Sequence, residues 1–369
     1  ETPWTAVSAE RDFTHIFQLT GLKTATVYHY MVETAPPDTD SVSAGLRGLF
    51  ETLPRPDQET DMCFTVMTCQ MFCRRDDPEG FLIYDAMAAL KPKFTLFTGD
   101  SVYLDNEPPI ANTVELARHH WHRMHSLPRL VRFYLQVPGY WEKDDHDTYC
   151  NDCWPTIEAP LMAPLTYEQG LRVFREQVPA PPRLYRTVRW GKDLEIWLVE
   201  GRDFRSPNDM PDGPDKTIWG IEQKEWLKKT LVASDATFKI LVSPTPIIGP
   251  DRAKKADNHS NKAFAHEGNE FRQWVRENLP GSFMIFCGDR HWQYHSVDPA
   301  TGVEEFDCGP ASDEHAGGSP GLDPAYHRFH RLKGGFLSAT VQRIDDHPRL
   351  IVRLHDVGGR VVYERRFEQ

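Results

Sequence analysis

An α/β fold is predicted for most of this chain, and three observations predict it. Short apolar runs alternate with stretches of helical periodicity. The 369 residues suffice for one large core or two domains, and 40% hydrophobic with 26% charged residues is the composition of an ordinary globular protein. The predicted strands, in order, span residues 63–68, 94–98, 132–137, 194–199, 238–243 and 283–287, each apolar and short. Helical spacing falls between them, over 80–90, 111–125, 166–177, 220–232 and 269–278. Residues 350–367 alternate around Gly358-Gly359 and read as a closing β-hairpin.

The first fifty residues follow another pattern. Phe17-Gln18-Leu19 leads through Gly21-Leu22 to an alternating run from Thr26 to Val32, which predicts two short antiparallel strands. The spacing resembles the later strands of a fibronectin type III module without its first strands. So short a piece buries little core alone, so it is expected to lean on its neighbour or on further sequence. The polar stretch Leu53 to Thr60 reads as a linker. The expected organisation is a partial fibronectin-like β module over residues 1–57 and a catalytic domain over 61–369.

A formal charge of −12 argues against nucleic acid as the main partner, which normally demands a surplus of Lys and Arg. An anionic ligand must therefore meet local positive charge. Seven cysteines, an odd number, are too few for a disulfide scaffold. No apolar stretch approaches the roughly eighteen residues that span a bilayer. The chain begins Glu1-Thr2-Pro3, without initiator Met or leader pattern, as a mature or trimmed chain would.

Chemistry gathers where apolar runs stop. The first ends Thr68-Cys69-Gln70, and the second ends Gly99-Asp100-Ser101-Val102-Tyr103. A middle run leads to Asp144-Asp145-His146-Asp147, and a late one ends Gly288-Asp289-Arg290-His291. In open α/β sheets ligands bind beyond the carboxyl ends of strands, so these groups are placed to converge. Singly, each has a plainer reading: a Gly-Asp is usually a turn, a lone Cys a small buried hydrophobe, an acidic run a solvated loop. Four in one order carry the weight. Together they resemble the PhoD-like (alkaline phosphatase D) family of metallophosphoesterases, whose blocks are a Ser/Thr-Cys-Gln, a Gly-Asp-x-x-Tyr, an Asp-Asp-His-Asp/Glu and a Gly-Asp-x-His. The stretch Gly201-Arg202-Asp203-Phe204-Arg205 and the helix Gln223-Lys224-Glu225-Trp226-Leu227 extend the resemblance, which runs from about Cys63 to the end.

The resemblance implies a four-layer α/β/β/α sandwich and hydrolysis of a phosphoester by a metal-bound hydroxide. The alternation alone would also permit a doubly wound sheet. The resemblance further implies an Fe(III) shell of Cys69 thiolate, Tyr103 phenolate, bridging Asp100 and His291. A second shell of Asp100, Asp145 and Asp289, with Asn151 as a further donor, is all oxygen and suits Ca(II), Mg or Mn better than Zn. Related two-histidine metallophosphoesterases carry Asn and His where Asp145 and Asp289 stand, and this departure favours calcium. His146 is implied as the acid or hydrogen-bond donor to the leaving group. Arg202 and Arg205 are candidates to fork onto phosphate oxygens, with a surface ion pair nearly as good a reading for Arg205. His259 is a candidate for the substrate or the second metal shell, and Arg290 is left unassigned.

Other features are set aside. His119, His120, His122 and His125 crowd one helix beside Trp121 and Met124, where packing explains them better than zinc. Cys150 and Cys153 lack a second pair to complete four ligands, which leaves a local disulfide or free thiols. The substrate is expected to be a small-molecule or polymer phosphoester, with a diester favoured over a monoester because so few arginines serve the site. A polymer-binding protein without turnover is the rival class, and His146 speaks against it. Cysteine-ligated iron, calcium and a fibronectin-like prefix fit an exported protein, secreted or periplasmic. Subunit number is not legible.

Overall fold

Alternating aromatic residues build the first sheet of this computed structural model, which describes every residue except 38, 40 and 282. Strands β1 (Val27–Thr34) and β2 (Ala44–Glu51) pair antiparallel, with Tyr28 and Tyr30 both packed on Phe50. Among the described residues the segment before Met62 holds this one sheet and no sandwich of its own. Two corrections follow. Residues 17–19 form no strand, and the partner of the Tyr28 strand lies downstream, at Ala44–Glu51, which supplies Phe50 for Tyr28 and Tyr30 to pack on. The hairpin leans on the body of the chain, as its small core requires: Leu49 N–H donates to Leu135 O at 2.8 Å and Lys93 pairs with Glu51 at 2.5 Å. Gly48 permits that approach, since a Cβ there would lie 2.4 Å from Leu135 O.

Beyond the linker come β3 (Met62–Met67), α1 (Ile83–Ala89), β4 (Thr95–Thr98), α2 (Val114–His125), α3 (Pro128–Tyr134), β5 (Gly139–Glu142) and α4 (Tyr167–Gln177). Helix α2 starts at Thr113, whose hydroxyl accepts Leu116 N–H, and α4 at a reciprocal Thr166–Gln169 cap. The strand expected over 132–137 is instead the end of α3. Pro128 stands at its first turn, where a missing N–H costs nothing, and Leu130 and Phe133 are buried on one face. The strand of this region is β5, five residues further on from Tyr134.

The chain continues through β6 (Arg186–Trp190), β7 (Leu194–Leu198), α5 (Gly220–Ala233), β8 (Phe238–Ser243), α6 (Ala265–Asn278), β9 (Phe283–Cys287), β10 (Gln293–Val297), β11 (Glu304–Cys308), β12 (His327–Arg331), β13 (Phe336–Ile344), β14 (His347–His355) and β15 (Val361–Glu368). They form a six-stranded sheet ordered β15-β14-β13-β3-β4-β5 and a seven-stranded sheet ordered β12-β10-β11-β9-β8-β7-β6. Period-two alternation sorts the side chains. Phe64, Val66 and Leu96 face Ile240, Val242 and Phe286 between the sheets, while Met67 and Phe97 turn outward to α1–α4 and Leu241 and Ile285 outward to α5 and α6. The result is an α/β/β/α sandwich, each fully buried large apolar side chain contributing about 1.5–3 kcal/mol. Strands β3, β4 and β5 run parallel, as do β7, β8, β9 and β11 in the other sheet. Their carboxyl ends meet: a Cβ on Gly288 would fall 2.6 Å from Thr98 Oγ1 and 2.7 Å from Thr68 Oγ1.

Candidate metal centre

Where β3, β4 and β9 stop, the backbone turns sharply at non-glycine residues. Cys69, Asp100 and Asp289 have φ of 50°, 61° and 69°, a left-handed conformation that side chains adopt at a cost. Each turn follows a buried strand and aims its side chain over the sheet edge. Tyr103 Oη donates to Asp100 Oδ2 at 3.0 Å, Cys69 Sγ lies 3.4 Å from the same oxygen, and His291 Nε2 lies 3.5 Å from Tyr103 Oη. Donor atoms of Cys69, Asp100 and His291 lie within 4.8 Å of one another; so do those of Asp100, Asp145 and His146, and those of Asp145, Asp152 and Asp257. Asp100 thus belongs to the first two groups and Asp145 to the last two. Asp289 is close enough to act on Cys69 and Asp100 through its charge.

Burial and mutual repulsion dominate the electrostatics. Burial first, then Asp100, pushes the Cys69 thiol and the Tyr103 phenol far above their ordinary pKa values. Burial does the same to Asp100 itself, reinforced by Asp145 and only partly offset by His146. Burial drives His291 the other way, toward neutral imidazole. Asp100 Oδ1 and Asp289 Oδ2 are buried without a hydrogen-bond partner. Thiol, phenol, carboxylate and neutral imidazole aimed at one point, with orphaned carboxylate oxygens beside them, fit a bound cation, which would reverse each unfavourable ionisation.

His146 stands beside this cluster with its ring 4.4 Å from that of Tyr103. Its Nδ1–H donates to Asp105 Oδ1 at 2.6 Å, and Asp105 Oδ2 accepts Asn151 N–H at 2.8 Å. Burial opposes the charge on His146, but Asp145, Asp105 and Asp100 outweigh it and raise its pKa well above the ordinary value. Asp145 accepts from the backbone N–H of His146 and of Asp152, and Arg202 stands 3.7 Å away.

The sequence-derived set therefore divides. Cys69, Asp100, Tyr103, Asp145, His146, Asp289 and His291 come together. Asn151 is exposed and reaches the cluster through its backbone N–H. Arg202, assigned to the substrate, is fully buried, with Nε 2.6 Å from Asp144 Oδ1 and Nη2 3.3 Å from Asp257 Oδ2. Arg205 donates to the Asp257 carbonyl and lies over the Phe264 ring. His259 is packed on Trp219 and bonded to Glu267 at 2.9 Å, which takes it out of the cluster. Arg290 pairs with Asp251. The residues missed are Asp105, two positions past Tyr103 in the same block, and Asp152, Lys255, Asp257 and His315. The last, its ring 4.1 Å from that of His291 and its Nδ1 3.1 Å from Cys69 O, lies in a polar loop whose composition alone reads as a turn. All seven cysteines are free thiols, so Cys150 and Cys153 form no disulfide.

A two-sheet sandwich that gathers such donors over its strand ends has the build of a metal-dependent phosphoester hydrolase. A family model for PhoD-like phosphatases matches residues 64–332, and the chain belongs to that family. Among solved structures it is similar to PhoD, with 17% identity and a TM-score of 0.73 over 91% of this chain and 72% of that one. It is also similar to a purple acid phosphatase from seeds of yellow lupin (Lupinus luteus), with 13% identity and a TM-score of 0.68 over 94% of this chain and 60% of the lupin one. At these identities the structural likeness establishes the fold alone. No curated protein matches in a sequence comparison.

Proposed function

We propose that the chain is a phosphodiesterase that works with Fe(III) at Cys69, Asp100, Tyr103 and His291, and Ca(II) at the oxygen donors Asp100, Asp145 and Asp289. Manganese, magnesium or zinc are the alternatives at the second position. The observation that carries the reading is Asp100, whose carboxylate touches the thiol of Cys69 and the phenol of Tyr103 while sharing a donor group with Asp145. Bound at these donors, the cations would supply Lewis acidity toward a phosphoryl oxygen and an acidified water.

The chain's own residues do the rest. Asp105 fixes the His146 ring through Nδ1, leaving Nε2 to donate a proton or hydrogen bond to the departing oxygen. Arg202 and Arg205 act behind the centre, Arg202 pairing with Asp144 and favouring the ionised forms of Asp145 and Asp257. With both arginines so engaged, little fixed positive charge faces the substrate, which favours a singly charged diester over a dianionic monoester. The proposal extends to residues 1–57 as an accessory module beside a catalytic unit of 61–369, and to an exported protein.

Rates on bis-p-nitrophenyl phosphate and p-nitrophenyl phosphate test the substrate class. The diester is expected to be hydrolysed with the higher kcat/KM, and preference for the monoester would overturn that part. Thiolate and phenolate bound to iron would colour the protein, and Tyr103→Phe is expected to shift or bleach that visible band. A colourless, iron-free wild type would remove iron from the proposal.

A further inference from the structure

The third donor group is occupied from within. Lys255 extends its ammonium into the carboxylates beside the metal centre, where Nζ contacts Asp152 Oδ1, lies 3.2 Å from Asp257 Oδ2 and 3.5 Å from Asp289 Oδ1. Its side chain is 11% exposed and that of Asp257 not at all, so water screens these contacts poorly. Asp152 and Asp257, with Asp145, are the three acids whose oxygens lie within 4.8 Å of one another. An ammonium offers three donors, one for each carboxylate it touches.

We propose that Lys255 is a built-in cation that stands where a divalent ion would otherwise sit among Asp152, Asp257 and Asp289, limiting the number of metal ions the centre accepts. The inference extends the metal reading of the neighbouring donors. Charge supports it. Arg202 already serves Asp257 and Asp145, so Lys255 is the second cation among these acids and its charge takes away much of their attraction for a further divalent ion. Without Lys255, the same acids keep Arg202 and, at Asp289, Arg252, but lose the one cation that touches Asp152, Asp257 and Asp289 together, and regain the excess negative charge that oxygen-donor cations seek. The lysine also ties the Asp152 loop to the end of β9, because one ammonium spans Asp152 and Asp289.

The test is a calcium count on the full chain, by titration calorimetry and by elemental analysis after dialysis against calcium. Lys255→Ala is expected to bind one more Ca2+ per chain than the wild type, and Lys255→Arg, which keeps the charge, the same number. Equal counts for Lys255→Ala and wild type overturn the proposal. If Lys255→Ala fails to fold, anomalous diffraction from wild-type crystals soaked in strontium decides: density between Asp152 and Asp257 overturns the proposal, and its absence there supports it. The metal reading fails separately, if the wild type binds no metal at all, and a gain in Lys255→Ala would still stand.

Discussion

Asp100 meets a thiol, a phenol and a second acid within a few ångströms, and no buried carboxylate does so without help. Its neighbours were legible in sequence because metal donors of four chemical types stood at the ends of apolar runs in a fixed order. Asp105 was not, although it lies only two residues past Tyr103, because one acid in a loop is unremarkable until His146 is seen against it. Arg202 was legible as important and misplaced in role, since its partners Asp144 and Asp257 come from distant segments. His146→Ala is predicted to lower kcat by about 10²–10⁴-fold with metal content unchanged; full activity at full metal content would contradict this. Asp105→Asn tests the ionisation. The Asp105 carboxylate, bonded to Nδ1 at 2.6 Å, raises the His146 pKa and favours the protonated ring, which is lost as pH rises. Removing the Asp105 charge is predicted to move the alkaline limb of the pH–rate profile to lower pH, and an unmoved limb would mean that His146 is not the titrating donor.

Strand ends decide whether these residues meet. Gly99 has φ of 99°, and a Cβ there would lie 2.6 Å from Asp144 Cβ and 2.9 Å from Asp144 N, so β4 and the loop after β5 touch through this glycine. Gly99→Ala is predicted to cost about 1–3 kcal/mol by overpacking and to strip metal from the protein, measured by denaturation and elemental analysis. On α6, Glu267 accepts from Ile218 N–H at 2.7 Å and His259 Nε2 at 2.9 Å. Burial would raise its pKa, but His259 and the other donors outweigh it and lower it from 4.5 to about 2. A depressed carboxylate stabilises the fold above its unfolded pKa, and that stability drains away as pH falls from 4.5 toward 2. Glu267→Gln is therefore predicted to be less stable than the wild type near pH 7, by about 1–3 kcal/mol for a buried carboxylate deprived of its charge-assisted hydrogen bonds, and the difference to narrow as pH falls from 4.5 toward 2; urea titrations at several pH values check it. Of the elements themselves, the apolar strands β3, β4, β7, β8 and β9 and the capped helices α2 and α4 were legible. Strands β6 and β10 to β13 were not, because runs such as Gln293–Val297 and Glu304–Cys308 carry buried polar groups whose partners lie elsewhere, Glu305 accepting from Ile247 and Ile248 N–H.

The whole molecule reconciles a net charge of −12 with an anionic substrate by arranging charge locally. Inner carboxylates are held by Arg202, Arg205 and Lys255, and the outer ones converge where two sheets bring their parallel ends together. Helical periodicity and apolar runs announced an α/β chain, but pairing order, and so which ends converge, depends on contacts between residues more than two hundred positions apart, such as Cys69 with His291. None of the helices among the described residues is long and apolar enough to cross a membrane. On the proposed function, the Asp100 carboxylate joins two metal positions. Elemental analysis of the untreated protein beside Asp100→Asn tests it most directly. Metal ions in the wild type, with joint loss from both positions in the variant, are predicted; a metal-free wild type that still hydrolyses phosphoesters, or a variant with full metal content, would contradict the account.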